Sequence, residues 1–385
     1  MQELKRIINY KRIILLLIAA TVNVVFFLYD NKPVMDEDII NKENVAHETY
    51  IKNYHEEVNA IIDNADKLKK YSIFNKAGSF SYANILQTAR DFERVKNVIL
   101  PEDEYKGVQA YTTYYYQYFF TMLVMMFVIY DMFAQRDNGM WSITYSCANG
   151  RIMYAIKQTG VIVVTGAFTH TLIYWSTFIA AMLQRGGVRD LVNPVQTIET
   201  FDKFTYPWSK IKYVTVLYLI SMVCIVALCI TIWGVFVIFR NRVYALVTML
   251  IFAAVEQFIY SHIDIHSVWN GLHYINIINI ININATFSSY RNWGVGTYVF
   301  PVFSVVLFVH IICAGVIGYI AINVSASMKP YKNTTFIKRF TDCVSAGCQK
   351  ILARIPFLFK EIHKFIFTSH CGWVVVVMLT VTAYV

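Results

Sequence analysis

The residues with the most chemical potential sit near the far end of an apolar run at 243–260. Glu256 lies inside that run, and His262, Asp264 and His266 follow it in alternation. In an extended strand this spacing puts three side chains on one side, and imidazole and carboxylate are zinc ligands, so a metal site beside Glu256 is one reading. The other is that the same groups solvate a loop where a helix leaves the bilayer. His170 stands alone inside a second apolar run, 156–183. An imidazole at that depth either serves function or stays neutral and bonds to a neighbouring helix. Cys343 and Cys348 form a C-x4-C pair with no second pair beside it, which reads equally as small residues on a helix face. The sequence contains no G-x-x-x-x-G-K-[ST] phosphate loop, no G-x-S-x-G and no H-E-x-x-H. Any use of ATP would therefore fall to another chain, and no cofactor is expected in this one.

The elements that must position these residues are membrane helices. Of the 385 residues, 57% are hydrophobic and only 15% charged, far from the balance of a soluble domain. The net charge of +9 does not indicate nucleic acid, because the cations cluster beside apolar runs rather than on one soluble face. They mark topology instead. Lys5, Arg6, Lys11 and Arg12 precede a first span at 13–29 and place the N-terminus in the cytoplasm of a cell membrane. Further spans are expected at 115–134, 156–183, 213–239, 243–260 and 298–324. Arg240-Asn241-Arg242 makes a short cytoplasmic turn between the fourth and fifth. The fold class is an all-α polytopic membrane protein: a six-helix transmembrane bundle plus a seventh, incomplete span, with a small helical extracellular hairpin.

The segment 30–112 holds fifteen acids against eleven bases and belongs outside. Val45, Ile51, Tyr54, Val58, Ile61, Ile62, Ala65 and Leu68 recur at helical spacing, and a second helix is expected over 82–98 after a turn at 75–81. That hairpin reads as a structural cap, with substrate contact or gating as the functional alternative. The tyrosine- and phenylalanine-rich stretch 111–120 suits an interfacial belt. A polar loop spans 184–212, and the stretch 269–298 is rich in Ile and Asn. Residues 326–371 form a basic cytoplasmic linker, and 372–385 the start of a seventh span, expected to open a second half.

Between the second and third spans lies 135–157, a polar, glycine-broken insert. It reads Gln135-Arg136-Asp137-Asn138-Gly139, with Trp141 next, then Asn149-Gly150-Arg151, then Lys157. This order resembles the coupling segment of type-2 ABC transporter permeases, where an acidic-Asn/Lys-Gly-Thr stretch leads to a Gly-Arg or Ser-Arg pair and a lysine opening the next span. The chain departs from that pattern at Gln135 and Met140. Leu272 to Asn276 is also similar to the region between the last two helices of some bacterial members, which implies a short re-entrant or surface helix facing the exterior. The likeness covers 1–325 and implies a permease without enzymatic activity of its own. ATP and Mg would be bound by a separate ATP-binding subunit, docked through Arg136, Asp137, Gly139, Trp141, Gly150 and Arg151. A second permease half, from a homodimer or a downstream repeat, would complete it within the lipid bilayer, and an amphiphilic substrate such as a peptide, lipid or drug would be exported or extracted. Alternatives are a mechanotransmitting permease in antimicrobial-peptide resistance or envelope maintenance, and a membrane metal-dependent enzyme.

Overall fold

A computed structural model of the chain describes residues 10–33, 36–71, 74, 76, 78–101, 106–137, 150–239, 242–263, 267 and 269–326. Among them six helices are long and apolar enough to cross a membrane: α1 (Tyr10–Asp30), α5 (Tyr116–Asp137), α6 (Gly150–Arg185), α7 (Lys210–Ile238), α8 (Arg242–His262) and α12 (Val302–Ala326). The remaining elements are α2 (Glu37–Leu68), α3 (Phe80–Glu93), α4 (Gly107–Thr113), α9 (Asn270–Tyr274), α10 (Ile278–Ile281), α11 (Ile283–Ser288), and strands β1 (Asn292–Val295) and β2 (Tyr298–Pro301). The chain is thus a polytopic, helical membrane-spanning protein. The expected linker at 326–371 and the seventh span at 372–385 lie outside the described residues.

α7 is the mast. Its buried face includes Ser221, Cys224, Ala227, Cys229 and Gly234, small residues that let neighbouring backbones approach where no hydrophobic force drives helices together. α12, α6, α5 and α8 gather around it. The half of the bundle away from the cap is dry, built from Met125, Ile129, Phe133, Ile162, Trp233 and Phe236. The half nearer the cap is aromatic, built around Tyr111, Tyr174, Phe201, Phe204, Tyr213 and Phe287.

α2 packs on α3 as a small helical cap with its own core of Tyr54, Val58, Phe92, Val95 and Leu100. Local signals start both helices. Asp36 accepts from Asp38 N at 3.0 Å with Glu37 and Asp38 in the first turn, and Ser79 accepts from Tyr82 N at 3.3 Å. α3 ends at Glu93 rather than running to 98. The 184–212 loop is compact, for it winds through three short 3-10 turns and buries Val195, Ile198, Phe201 and Phe204.

Two expectations need correction. The sixth span begins at Val302 and not 298, because Tyr298–Pro301 pairs antiparallel with Asn292–Val295. Gly296 makes this possible: it opens a two-residue turn at φ 63°, a conformation that costs glycine little. The helix of the third span also begins at Gly150, six residues ahead of the expected 156, since charge at Arg151 and Lys157 ends the apolar run without ending the helix.

The Ile/Asn stretch forms three short helices, and the alternation now has a reason. Short helices that start and stop inside the fold leave buried backbone groups in need of partners. Asn276 Nδ2 donates to Glu256 O (2.7 Å), and its Oδ1 accepts from Ile278 N (2.8 Å). Asn279 Nδ2 donates to His273 O (2.7 Å). Asn284 Nδ2 donates to Thr112 O (2.7 Å) while its Oδ1 accepts from Tyr213 Oη (2.6 Å). Ile280 and Ile283 fill the core between these bonds.

Candidate functional site

The segment with the strongest sequence signal falls at the end of the bundle away from the cap. Arg136 and Asp137 lie in the last turn of α5, and Gly150 and Arg151 open α6, so the two helices bring both halves of the motif to the same end. Gly139 and Trp141 lie outside the described residues. α6 has 36 residues and rises about 54 Å, against about 30 Å of hydrocarbon. Its first turns therefore have length to spare. On them Arg151, Ile152, Met153, Ile156 and Lys157 are exposed, an apolar surface bracketed by two cations.

His170 occupies the middle of α6 and is fully enclosed. Its Nε2 lies 2.8 Å from Ser221 Oγ on α7. Ser221 directs its single hydrogen to Tyr218 O at 3.0 Å, so the imidazole N–H is the donor to Oγ. The ring is stacked on Tyr218 (centroids 5.8 Å) and on Tyr118 (5.9 Å). Around it Thr171 Oγ1 and Tyr218 Oη meet at 2.8 Å, and Tyr174 Oη donates to Val214 O at 2.7 Å. One layer nearer the cap, Asn23 of α1 donates to Thr177 (2.7 Å) and accepts from Tyr114 Oη (2.9 Å). Of the two readings of His170, the geometry matches the imidazole bonded across helices.

Glu256 is likewise structural in its described contacts. Its Oε2 accepts from Ile277 N at 3.0 Å, pinning the re-entrant stretch to α8. His262 closes α8, where its Nδ1 lies 3.1 Å from Phe258 O and its ring stacks on Phe258 at 4.1 Å. Asp264 and His266 lie outside the described residues, and among the described residues no group of three or more metal-type ligands converges. The alternating His-x-Asp-x-His was read as an extended strand, but His262 ends a helix.

Sequence reading passed over His310, the single histidine inside α12. Its Nδ1 lies 2.8 Å from Val306 O, which can only accept, so this nitrogen carries the hydrogen. The signal was available, since an intramembrane imidazole is noticeable by rarity alone.

The cap is fastened to the bundle by polar contacts that no motif announced. Tyr290 Oη, just before β1, donates to Asp91 Oδ2 of α3 at 3.0 Å. Asp91 also accepts from Gln87 (2.9 Å) and faces Arg94 (3.2 Å). Burial, ahead of the Asp91 charge, pushes the Tyr290 phenol up to about 12. Asn292 Nδ2 donates to Asn84 Oδ1 at 2.8 Å. On the α7 side, Tyr50 Oη of α2 donates to Gln196 O (2.8 Å), and Gln196 Nε2 donates to Phe204 O (3.0 Å) and Tyr206 O (2.7 Å). Arg185 at the head of α6 donates to Asn31 O (3.0 Å) and Lys32 O (2.8 Å) after α1.

Comparison of the chain with descriptions of protein families, with curated proteins and with solved structures found no match.

Proposed function

We propose that this chain is the membrane-spanning subunit of an ATP-driven transporter of the type-2 ABC class, carrying an amphiphilic substrate outward or extracting it from the bilayer. The observation that carries the reading is the foot of α6. It outruns the hydrocarbon by several turns, presents Ile152, Met153 and Ile156 between Arg151 and Lys157, and stands beside the end of α5 where Arg136 and Asp137 lie. A rigid helix that reaches from a water-facing foot to the cap side suits the transmission of a push. Its upper half is bonded to α7 at His170 and to α1 at Thr177, so displacement of the foot would be felt across the bundle. The positively charged ends on the foot side favour a cytoplasmic N-terminus and an external cap in a cell membrane. ATP and Mg would reside on the partner ATPase, and two permease halves would act together.

A second reading has its own support. The cap is bonded to segments leading directly into α7 and α12, so strokes on the bundle would also move α2 and α3. A permease that acts mechanically on an external peptide or envelope partner would use that arrangement. Zinc chemistry at Glu256 is not favoured, because its carboxylate already serves the Ile277 N–H.

The test is co-purification from native membranes. An ATP-binding subunit should accompany the wild-type chain and be lost from the Arg151→Glu, Trp141→Ala double variant. Absence of any ATPase from the wild-type preparation would count against the proposal.

A further inference from the structure

The β1–β2 hairpin has two faces, one packed on the cap and the other largely exposed. Its register sets Asn292 opposite Pro301 and Gly294 opposite Val299 on one face, with Trp293 opposite Phe300 and Val295 opposite Tyr298 on the other. The first face lies on the cap: Asn292 bonds to Asn84, and a Cβ at Gly294 would overlap the Phe80 ring. On the second face Val295 is 61% exposed, Tyr298 71% and Phe300 43%. Trp293 belongs to that face too, and packs against Gly271 and Tyr274. This brings α9 alongside, with Trp269 67% exposed. Arg291, also exposed, precedes β1 by one residue.

Position along the chain says what covers this face. β2 runs into α12 with no linker, so Tyr298 is four residues, about 13 Å of strand, from the first residue of a membrane span. Trp269 follows the end of α8 by seven residues. The exposed face thus leads along the chain into α12, whose outward apolar surface exposes Phe308, Ile311 and Ile312. Rings with an apolar body and a polar edge, beside a guanidinium, match the boundary between acyl chains and phosphates. Facing water, the same patch would be an uncompensated apolar surface.

We propose that this face is a phospholipid-binding surface. Val295, Tyr298, Phe300 and Trp269 bed into the headgroup–acyl boundary of the leaflet on the cap side, and Arg291 meets lipid phosphate. The hairpin is then a three-way junction, with the cap on one face, lipid on the other and α12 continuing from its end. This inference depends on membrane placement and not on the transporter reading.

The test places the photoreactive residue p-benzoylphenylalanine at Tyr298 or Phe300 of the full chain in its native membrane. Ile311, on the outward surface of α12, serves as the lipid-facing reference, and Ile99, in the cap, as the water-facing one. Mass spectrometry should find phospholipid adducts at Tyr298 and Phe300 as at Ile311, with none at Ile99. Adducts at Tyr298 and Phe300 to a second copy or to another protein would overturn the proposal. So would their failure to react where Ile311 does.

Discussion

α7 and α8 are consecutive, both apolar, and differ in nearly everything that matters for packing. In α7, 61% of the most apolar stretch is buried; in α8 the figure is 6%, and Ala245 is its one fully buried residue. Apolarity cannot explain the contrast, because lipid accepts leucine and phenylalanine as readily as a protein interior does. The difference lies in where small and polar groups face, for α8 leaves its own Ala253 and Ala254 exposed. α7 carries Ser221, Cys224, Ala227, Cys229 and Gly234 on its contact surface, whereas α8 presents Ile251, Phe252, Val255 and Phe258 outward. α8 is held at its ends instead. Arg242 lies 4.9 Å over the Tyr130 ring at one end, and Glu256 bonds to the re-entrant stretch near the other. A membrane bundle can therefore contain a mast fixed along its length and an outlying helix fixed at two points.

The largest effect should come from opening the mast. Trp233 is fully enclosed in the dry half of the bundle, and Trp233→Ala should destabilise by about 3–5 kcal/mol. Phe258→Ala on α8, where the ring is 62% exposed, should change little. Thermal unfolding in detergent, read by loss of monodisperse protein, separates the two. Equal losses would erase the distinction between mast and outlying helix.

Next in size is the pin. Glu256→Ala leaves the Ile277 N–H without its acceptor at a cost of about 1–3 kcal/mol, whereas Glu256→Gln retains an oxygen there. Amide hydrogen exchange over 276–280 should rise for the alanine variant and stay near wild type for the glutamine. If the metal reading were right instead, the two variants would be equally impaired and zinc would bind the wild-type protein.

How much of this was legible can be argued from the same two helices. Their existence was plain, since uninterrupted apolar runs of about 20 residues have one physical interpretation. Their roles were not, because a helix apolar all round shows no stripe to say which side faces protein. Glu256 was visible as an intramembrane acid, but its partner is a backbone amide 21 residues onward, and backbone amides leave no trace in sequence. Tyr298–Pro301 vanished into the apolar run it adjoins, although Gly296-Thr297 between alternating residues was a usable hairpin signal. The foot of α6 was seen as a motif and missed as a helix. Its charges ended the hydropathy window while leaving helix formation intact.

The cap latch offers a smaller, pH-dependent effect. Tyr290 titrates near 10 when unfolded and near 12 when folded, so the folded state binds the proton more tightly. Its contribution is complete below pH 10 and is lost as pH rises through 12. Protease sensitivity of α2 and α3 should increase over that window, and Tyr290→Phe should remove the Tyr290 share of the step. The smallest effect belongs to Tyr50→Phe, which removes the hydroxyl that donates to Gln196 O. It should loosen the loop before α7, raising exchange at 195–208 while leaving the dry half of the bundle unchanged.

The central claim is that the foot of α6 is a docking surface for an ATP-binding subunit. The most direct measurement places p-benzoylphenylalanine at Met153, 52% exposed on that foot, and irradiates native membranes. The account predicts a covalent adduct with an ATP-binding protein, abolished by Arg151→Glu. Adducts with lipid alone, unchanged by that substitution, would contradict it.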